Sequence, residues 1–131
     1  MMMSNIRSYV AVLYNGEAFS TVGDITYDSG LPEIKEGTAY TSGNKANITT
    51  SIDLTTNIAM ISFECPNTAE MTEMIRRIKR ENLNLQRGTV TLIASDDTRE
   101  THVNAFIKNK IEQTYSTEGS ITVEICAEAT N

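Results

Sequence analysis

Apolar and polar residues alternate with a period of two in several segments of the chain, the spacing that sends one side of a strand to a core and the other to water. Ser8–Tyr14 is a β-branched and aromatic run that ends at Asn15-Gly16, a strand closed by a turn. Glu17–Phe19 and Val22–Tyr27 read as further strand pieces, and Gly23 marks a bulge or bend in the second. Ile48, Ile52, Leu54, Ile58 and Met60 fall on one parity, with Thr49, Ser51, Asp53, Thr55 and Asn57 on the other. This predicts one long strand with an apolar and a polar face, or two shorter strands broken at Thr55-Thr56-Asn57. The parity slips near Met60–Phe63, as at a bulge or a passage between sheets. Thr89–Ala94 after Gly88, Thr101–Lys108 and Ile121–Glu128 are the remaining strands, with turns at Asp96-Asp97 and Glu118-Gly119. The stretch through Tyr115 favours no element.

One segment changes period. Met71, Met74, Ile75 and Ile78 are spaced as one face of a helix over about residues 67–82. Asn67 is its expected N-cap, with Glu70 three residues on, and Pro66 just before. Acidic Glu70 and Glu73 near the start, and Arg76, Arg77, Lys79 and Arg80 near the end, complement the helix dipole. Residues 28–47 differ again: they are rich in turn chemistry and long for a connection inside a domain. Leu31, Ile34 and Tyr40 are apolar anchors within it, so the segment is read as an arm loop that reaches a neighbouring subunit. The expected fold is mainly β (α+β), a β-sandwich or barrel in a single domain with one packed helix and that long arm.

Composition adds little to the fold and more to the function. The 131 residues suit one domain with its own core. A net charge of −6 argues against broad binding of nucleic acid or anionic membrane, which needs a cationic surface. Two cysteines, Cys65 and Cys126, and no CxxC motif give no disulfide framework and no zinc knuckle. The opening Met1–Asn5 has no apolar stretch of a signal peptide, so the protein is expected to be made in a reducing cytoplasm. His102 stands alone, without the partners of a metal site or a nucleophile motif. Asp96, Asp97 and Glu100 lack the spacing of a calcium loop, and Thr41–Lys45 lacks that of a phosphate loop. No catalytic residue, cofactor or metal is therefore expected. The basic run Arg76–Arg80 has no interleaved aromatics. It reads as a solvated helix face first, a protein-contact face second, and a nucleic-acid patch last.

The order of elements, with Leu31-Pro32-Glu33-Ile34 and Tyr40-Thr41-Ser42-Gly43 in the arm, Phe63–Thr68 leading into one helix and a closing Gly119–Ile125 strand, resembles the tail tube proteins of contractile-tailed bacteriophages, whose fold is shared with the type VI secretion tube protein. The resemblance implies a virion tail subunit that stacks as homohexameric rings, with merged strands lining a channel through which DNA passes into the host. It implies partners in the sheath, baseplate and tail terminator, DNA only as passing cargo, and no stable membrane binding. Asp53, Glu124 and Glu128 then become candidate lumen residues, chosen by their polar parity. Arg76, Arg77 and Arg80 become candidates for contacting the sheath, and Leu31, Ile34 and Tyr40 for the inter-subunit arm. Other readings are a baseplate or capsid decoration protein, a secretion tube subunit, a small carrier with an enclosed pocket, and an enzyme with an uncharted site.

Overall fold

The computed structural model describes residues 8–31, 33–40, 46–53, 58–111 and 119–129. Among these described residues, nine strands and one helix follow in the order β1 (Tyr9–Tyr14), β2 (Glu17–Ala18), β3 (Val22–Asp28), β4 (Glu33–Tyr40), β5 (Ala46–Asp53), β6 (Ile58–Pro66), α1 (Ala69–Leu83), β7 (Gly88–Ala94), β8 (Arg99–Ile107) and β9 (Ser120–Glu128). Seven strands form one antiparallel sheet in the order β2-β1-β7-β8-β9-β6-β3, while β4 and β5 make a separate two-stranded ribbon.

The sheet curls on itself at β8. Its first part pairs with β7, from Ile93↔Arg99 to Gly88↔Ala105, and its end pairs with β9 at Phe106↔Cys126 and Ile107↔Ile125. The register slips within the β7 pairing, between Val90↔His102 and Gly88↔Ala105, where Asn104 takes a φ of 54°. A bulge of this kind adds one residue and bends the strand into a second layer. The alternation marks it: His102, Ala105 and Ile107 are buried, while Val103 and Asn104 both face out. Curling brings β1 opposite β3 without a hydrogen-bonded ladder between them. Tyr9 and Tyr27 meet across this seam edge to face, 5.0 Å between centroids, and beside it lies an open cleft of about 510 Å³ lined by Val10, Gly23 and Ile25.

The space between the layers is filled by inward parities. Val12 and Tyr14 come from β1, Ile61, Phe63 and Cys65 from β6, Val90 and Leu92 from β7, and Ile121, Val123 and Ile125 from β9. Met71, Met74, Ile75 and Ile78 of α1 close one end of this core, each fully buried aliphatic contributing about 1.5–3 kcal/mol. The N-cap is Thr68 rather than Asn67, since its Oγ1 accepts the Met71 N–H at 3.2 Å. Pro66 still belongs to β6, so the helix begins one residue later than the capping pattern suggests. Lys79, grouped by sequence with the exposed basic face, turns inward. Its Nζ donates to the carbonyls of Ile107 and Asn109 at 2.8 and 3.0 Å. Asn82 Oδ1 accepts the Ile107 N–H at 2.9 Å, so the last helical turns clip the end of β8.

Most of the expected strands are present, but residues 28–47 are organised beyond the loop read from their turn chemistry. β4 pairs with β5 from Glu33↔Asp53 to Tyr40↔Ala46, and β3 pairs with β6 up to Asp28↔Met60. The arm is therefore the outer half of one long hairpin whose inner half belongs to the body. Gly30 sits at the junction with a φ of 78°, and its N–H donates to Asp28 Oδ1 at 2.9 Å. A Cβ there would lie 2.5 Å from the Ile58 carbonyl carbon, so both the backbone angle and the space require glycine. The break at Thr55-Thr56-Asn57, the turn at Thr41–Lys45 and the 112–118 stretch lie outside the described residues.

Candidate assembly surface

Three surfaces of the subunit are built by the fold and left uncovered by it. The first is the outward face of the β3–β6–β9 layer. Cross-strand partners share a face, so the pairs Val22↔Glu64, Thr26↔Ser62, Asp28↔Met60, Glu64↔Thr122, Ser62↔Glu124 and Ile58↔Glu128 all belong to it. It presents the carboxylates of Asp28, Glu64, Glu124 and Glu128 among small polar side chains. Glu128 Oε1 accepts from Asn104 Nδ2 at 2.6 Å, and Asn109 Oδ1 accepts the Glu124 N–H at 2.9 Å, which ties down the middle and the end of β9. A strip of Ile58, Met60, Cys126 and Phe106 crosses this face, with the Arg87 guanidinium 4.9 Å above the Phe106 ring.

Two of the acidic residues expected from parity, Glu124 and Glu128, thus stand on one surface, and Asp53 does not join them. It ends β5 on the separate ribbon, and its side chain lies outside the described residues. Glu64 and Asp28 take that place and were missed by sequence reasoning. The signal for Glu64 was present in the alternation Ile61-Ser62-Phe63-Glu64-Cys65, in which the buried parity is odd. The apolar parity assigned across Ile48–Met60 does not continue through both strands: β6 buries Ala59 and Ile61 and leaves Ile58 half exposed. β6 holds one register with β9 from Ile58↔Glu128 to Pro66↔Ser120, so the slip expected near Met60–Phe63 is not found there.

The second surface is the β4–β5 ribbon. Ile34 and Ile48 are 72% and 77% exposed, so the apolar side of β5 does not pack onto its own subunit as the period-two pattern implied. Leu31, at the root, is also exposed. Tyr40 closes β4, and its side chain lies outside the described residues. The third surface is the outer side of α1, where Arg76, Arg77 and Arg80 border a shallow groove with Thr72 and Glu73. The Arg77 guanidinium pairs with the Glu17 carboxylate of β2. Both groups are about half exposed, so the pair contributes about 0–1 kcal/mol. Its main effect is to tie the β1–β2 turn to the helix.

The histidine, the two cysteines and the Asp96 turn are structural in their surroundings. His102 is 1% exposed, with Nε2 2.6 Å from the Tyr27 hydroxyl and Nδ1 2.9 Å from the Glu128 carbonyl. Burial, then the neighbouring Glu100 carboxylate, pushes the Tyr27 phenol up. Cys65 is a free thiol in the core, and Cys126 is a free, buried thiol on the outward face. Burial pushes Cys65 up to about 12 and Cys126 upward as well, which removes the thiolate that reactivity needs. Asp96 Oδ1 accepts from Thr98 N and Oγ1, a closed turn. Among the described residues no group of three or more His, Cys, Asp or Glu side chains is placed to hold a metal ion. Models of protein families, curated protein sequences and solved structures were compared with the chain, and none matches.

Proposed function

We propose that this chain is the structural subunit of a bacteriophage-type tail tube, a ring-forming protein whose rings stack around a channel for DNA. The observation that carries the reading is the unclosed seam between β1 and β3, together with a ribbon that, among the described residues, pairs with no strand of the main sheet. A sheet that curls without closing leaves β3 with one unpaired side, and such an edge invites a strand from another chain. An isolated two-stranded ribbon is marginal in water, so its ordered form calls for a neighbour. Closed rings of identical copies answer both needs.

The acidic outward face supplies the channel wall. Carboxylates at Asp28, Glu64, Glu124 and Glu128 repel phosphates, so a duplex slides along such a wall instead of adhering to it. The basic outer side of α1 around Arg76 is then the side available to an enclosing sheath. Negative-stain electron microscopy of the purified protein at rising concentration tests the proposal. Hollow rods of constant width are expected, and monomers or trimers at every concentration would overturn it. Rods built from a Glu64→Lys/Glu124→Lys variant should retain short duplex DNA that wild-type rods release on gel filtration in low salt. Equal release would remove those residues from the wall.

A further inference from the structure

We propose that an exposed leucine pair at the C-terminal end of α1 is the docking site for the β4–β5 hairpin of a second copy of this chain. The inference rests on the self-assembly proposed above and assigns the two surfaces of one of its contacts. The helix ends in a Schellman motif, with the Leu85 N–H donating to the Asn82 carbonyl at 3.0 Å and the Gln86 N–H to the Glu81 carbonyl at 2.9 Å. Leu85 occupies the left-handed position of that motif, at a φ of 63°, where glycine is the usual residue because a Cβ is crowded by the backbone. Its side chain is 85% exposed, and that of Leu83 is 75% exposed. Leucine at this position therefore strains the backbone and recovers almost nothing by packing. Neither folding nor solubility accounts for a pair of large aliphatic side chains held on a hydrogen-bonded cap. Exposed Arg80 and Arg87 flank the pair along the chain.

The hairpin carries the complement. Its register pairs Glu36 with Thr50 and Thr38 with Ile48, which puts Ile34, Glu36 and Ile48 on one face. Two exposed isoleucines with a carboxylate between them match two exposed leucines with Arg80 one helical turn before Leu83. Eight residues per strand give the hairpin a length of about 26 Å. Because hairpin and helix end are different patches, the contact is head to tail and propagates from copy to copy.

Sedimentation velocity and electron microscopy across a concentration series, with melting temperature read on each variant, test the assignment. Leu85→Gly should melt at the wild-type temperature or above it, while requiring about tenfold more protein to assemble. Glu36→Arg and Arg80→Glu should each weaken assembly, and the double reversal should restore it. If wild type forms rods and these single variants form them at the same concentration, the docking assignment is overturned and the tube reading stands. If the double reversal restores nothing, the pairing of these two faces is overturned. A lower melting temperature for Leu85→Gly would show that Leu85 serves the fold, and would overturn its role as a docking residue. Wild type that stays monomeric throughout would overturn both readings.

Discussion

His102 is the most informative position for a stability experiment, because it stands where the sheet is least regular. β8 leaves β9 after only two paired positions, and the gap beyond them is spanned by the imidazole, from the Tyr27 hydroxyl on β3 to the Glu128 carbonyl on β9. His102→Ala removes both partners at once. A buried donor or acceptor left without a partner costs about 1–3 kcal/mol. The vacated ring adds a cavity term of about 1–2 kcal/mol if the strands do not collapse into it. Relief of burying the imidazole offsets part of this, so a net loss of about 3 kcal/mol is expected. For a domain whose urea dependence is about 1.5–2 kcal/mol per molar, the midpoint should fall by about 1.5–2 M. His102→Phe separates the contributions: it refills the space but leaves Tyr27 and Glu128 without the nitrogen atoms, so most of the loss should remain. Urea titrations followed by near-ultraviolet circular dichroism, at concentrations where the protein is monomeric, give both numbers. A loss below about 1 kcal/mol for His102→Ala, or full stability for His102→Phe, would refute the bridging role.

Two further predictions concern the core and the arm. Cys65 is fully buried with its thiol pushed up to about 12, from an ordinary value of 9.0. Its folded value is raised, so its contribution is fully present below pH 9 and is lost as the pH rises toward 12. Raising the pH from 7 to 10 should therefore cost about 1.4 kcal/mol through this thiol alone. Cys65→Ala should flatten that alkaline limb of the stability curve, measured by urea midpoint against pH, and an unchanged slope would contradict the assignment. Gly30→Ala should destabilise by more than about 2 kcal/mol, because a left-handed backbone and a contact with the Ile58 backbone act together. Limited proteolysis should show the arm of that variant cut first, and a protease pattern equal to wild type would contradict its role as the junction.

Much of the fold is legible in the sequence because local chemistry and tertiary demand agree. The apolar stripe of α1 matches its buried residues, and Asn15-Gly16 makes the turn it predicts, with φ values of 50° and 86°. Gly23 marks an irregularity that the structure places in the register between Val22 and Thr26. The N-cap was misplaced by one residue because Asn67 and Thr68 both carry a capping oxygen, and only the end of β6 decides between them. Lys79 was read as solvated because charge alone does not reveal two carbonyls left open at the end of a strand. The outward acidic face was half legible: the parity of Glu124 and Glu128 is visible, but their alignment with Glu64 and Asp28 depends on strand order, which no local pattern encodes.

The arm failed differently, and the reason bears on function. A period-two pattern records which side of a strand is covered, not by what. Ile34 and Ile48 read as anchors or as core residues, and both are almost bare in the subunit. Leu83 and Leu85 carry the same contradiction at the end of α1, where the second also sits at a backbone angle that disfavours it. Burying a large aliphatic side chain contributes about 1.5–3 kcal/mol and leaving it in water contributes nothing, so a sequence gains nothing for its monomer by keeping four of them outside. On the proposed assembly the discrepancy resolves. The alternation in β5 describes a face covered by another copy, and the leucine cap is what covers it, so the pattern is a correct record of burial for a larger object than one chain.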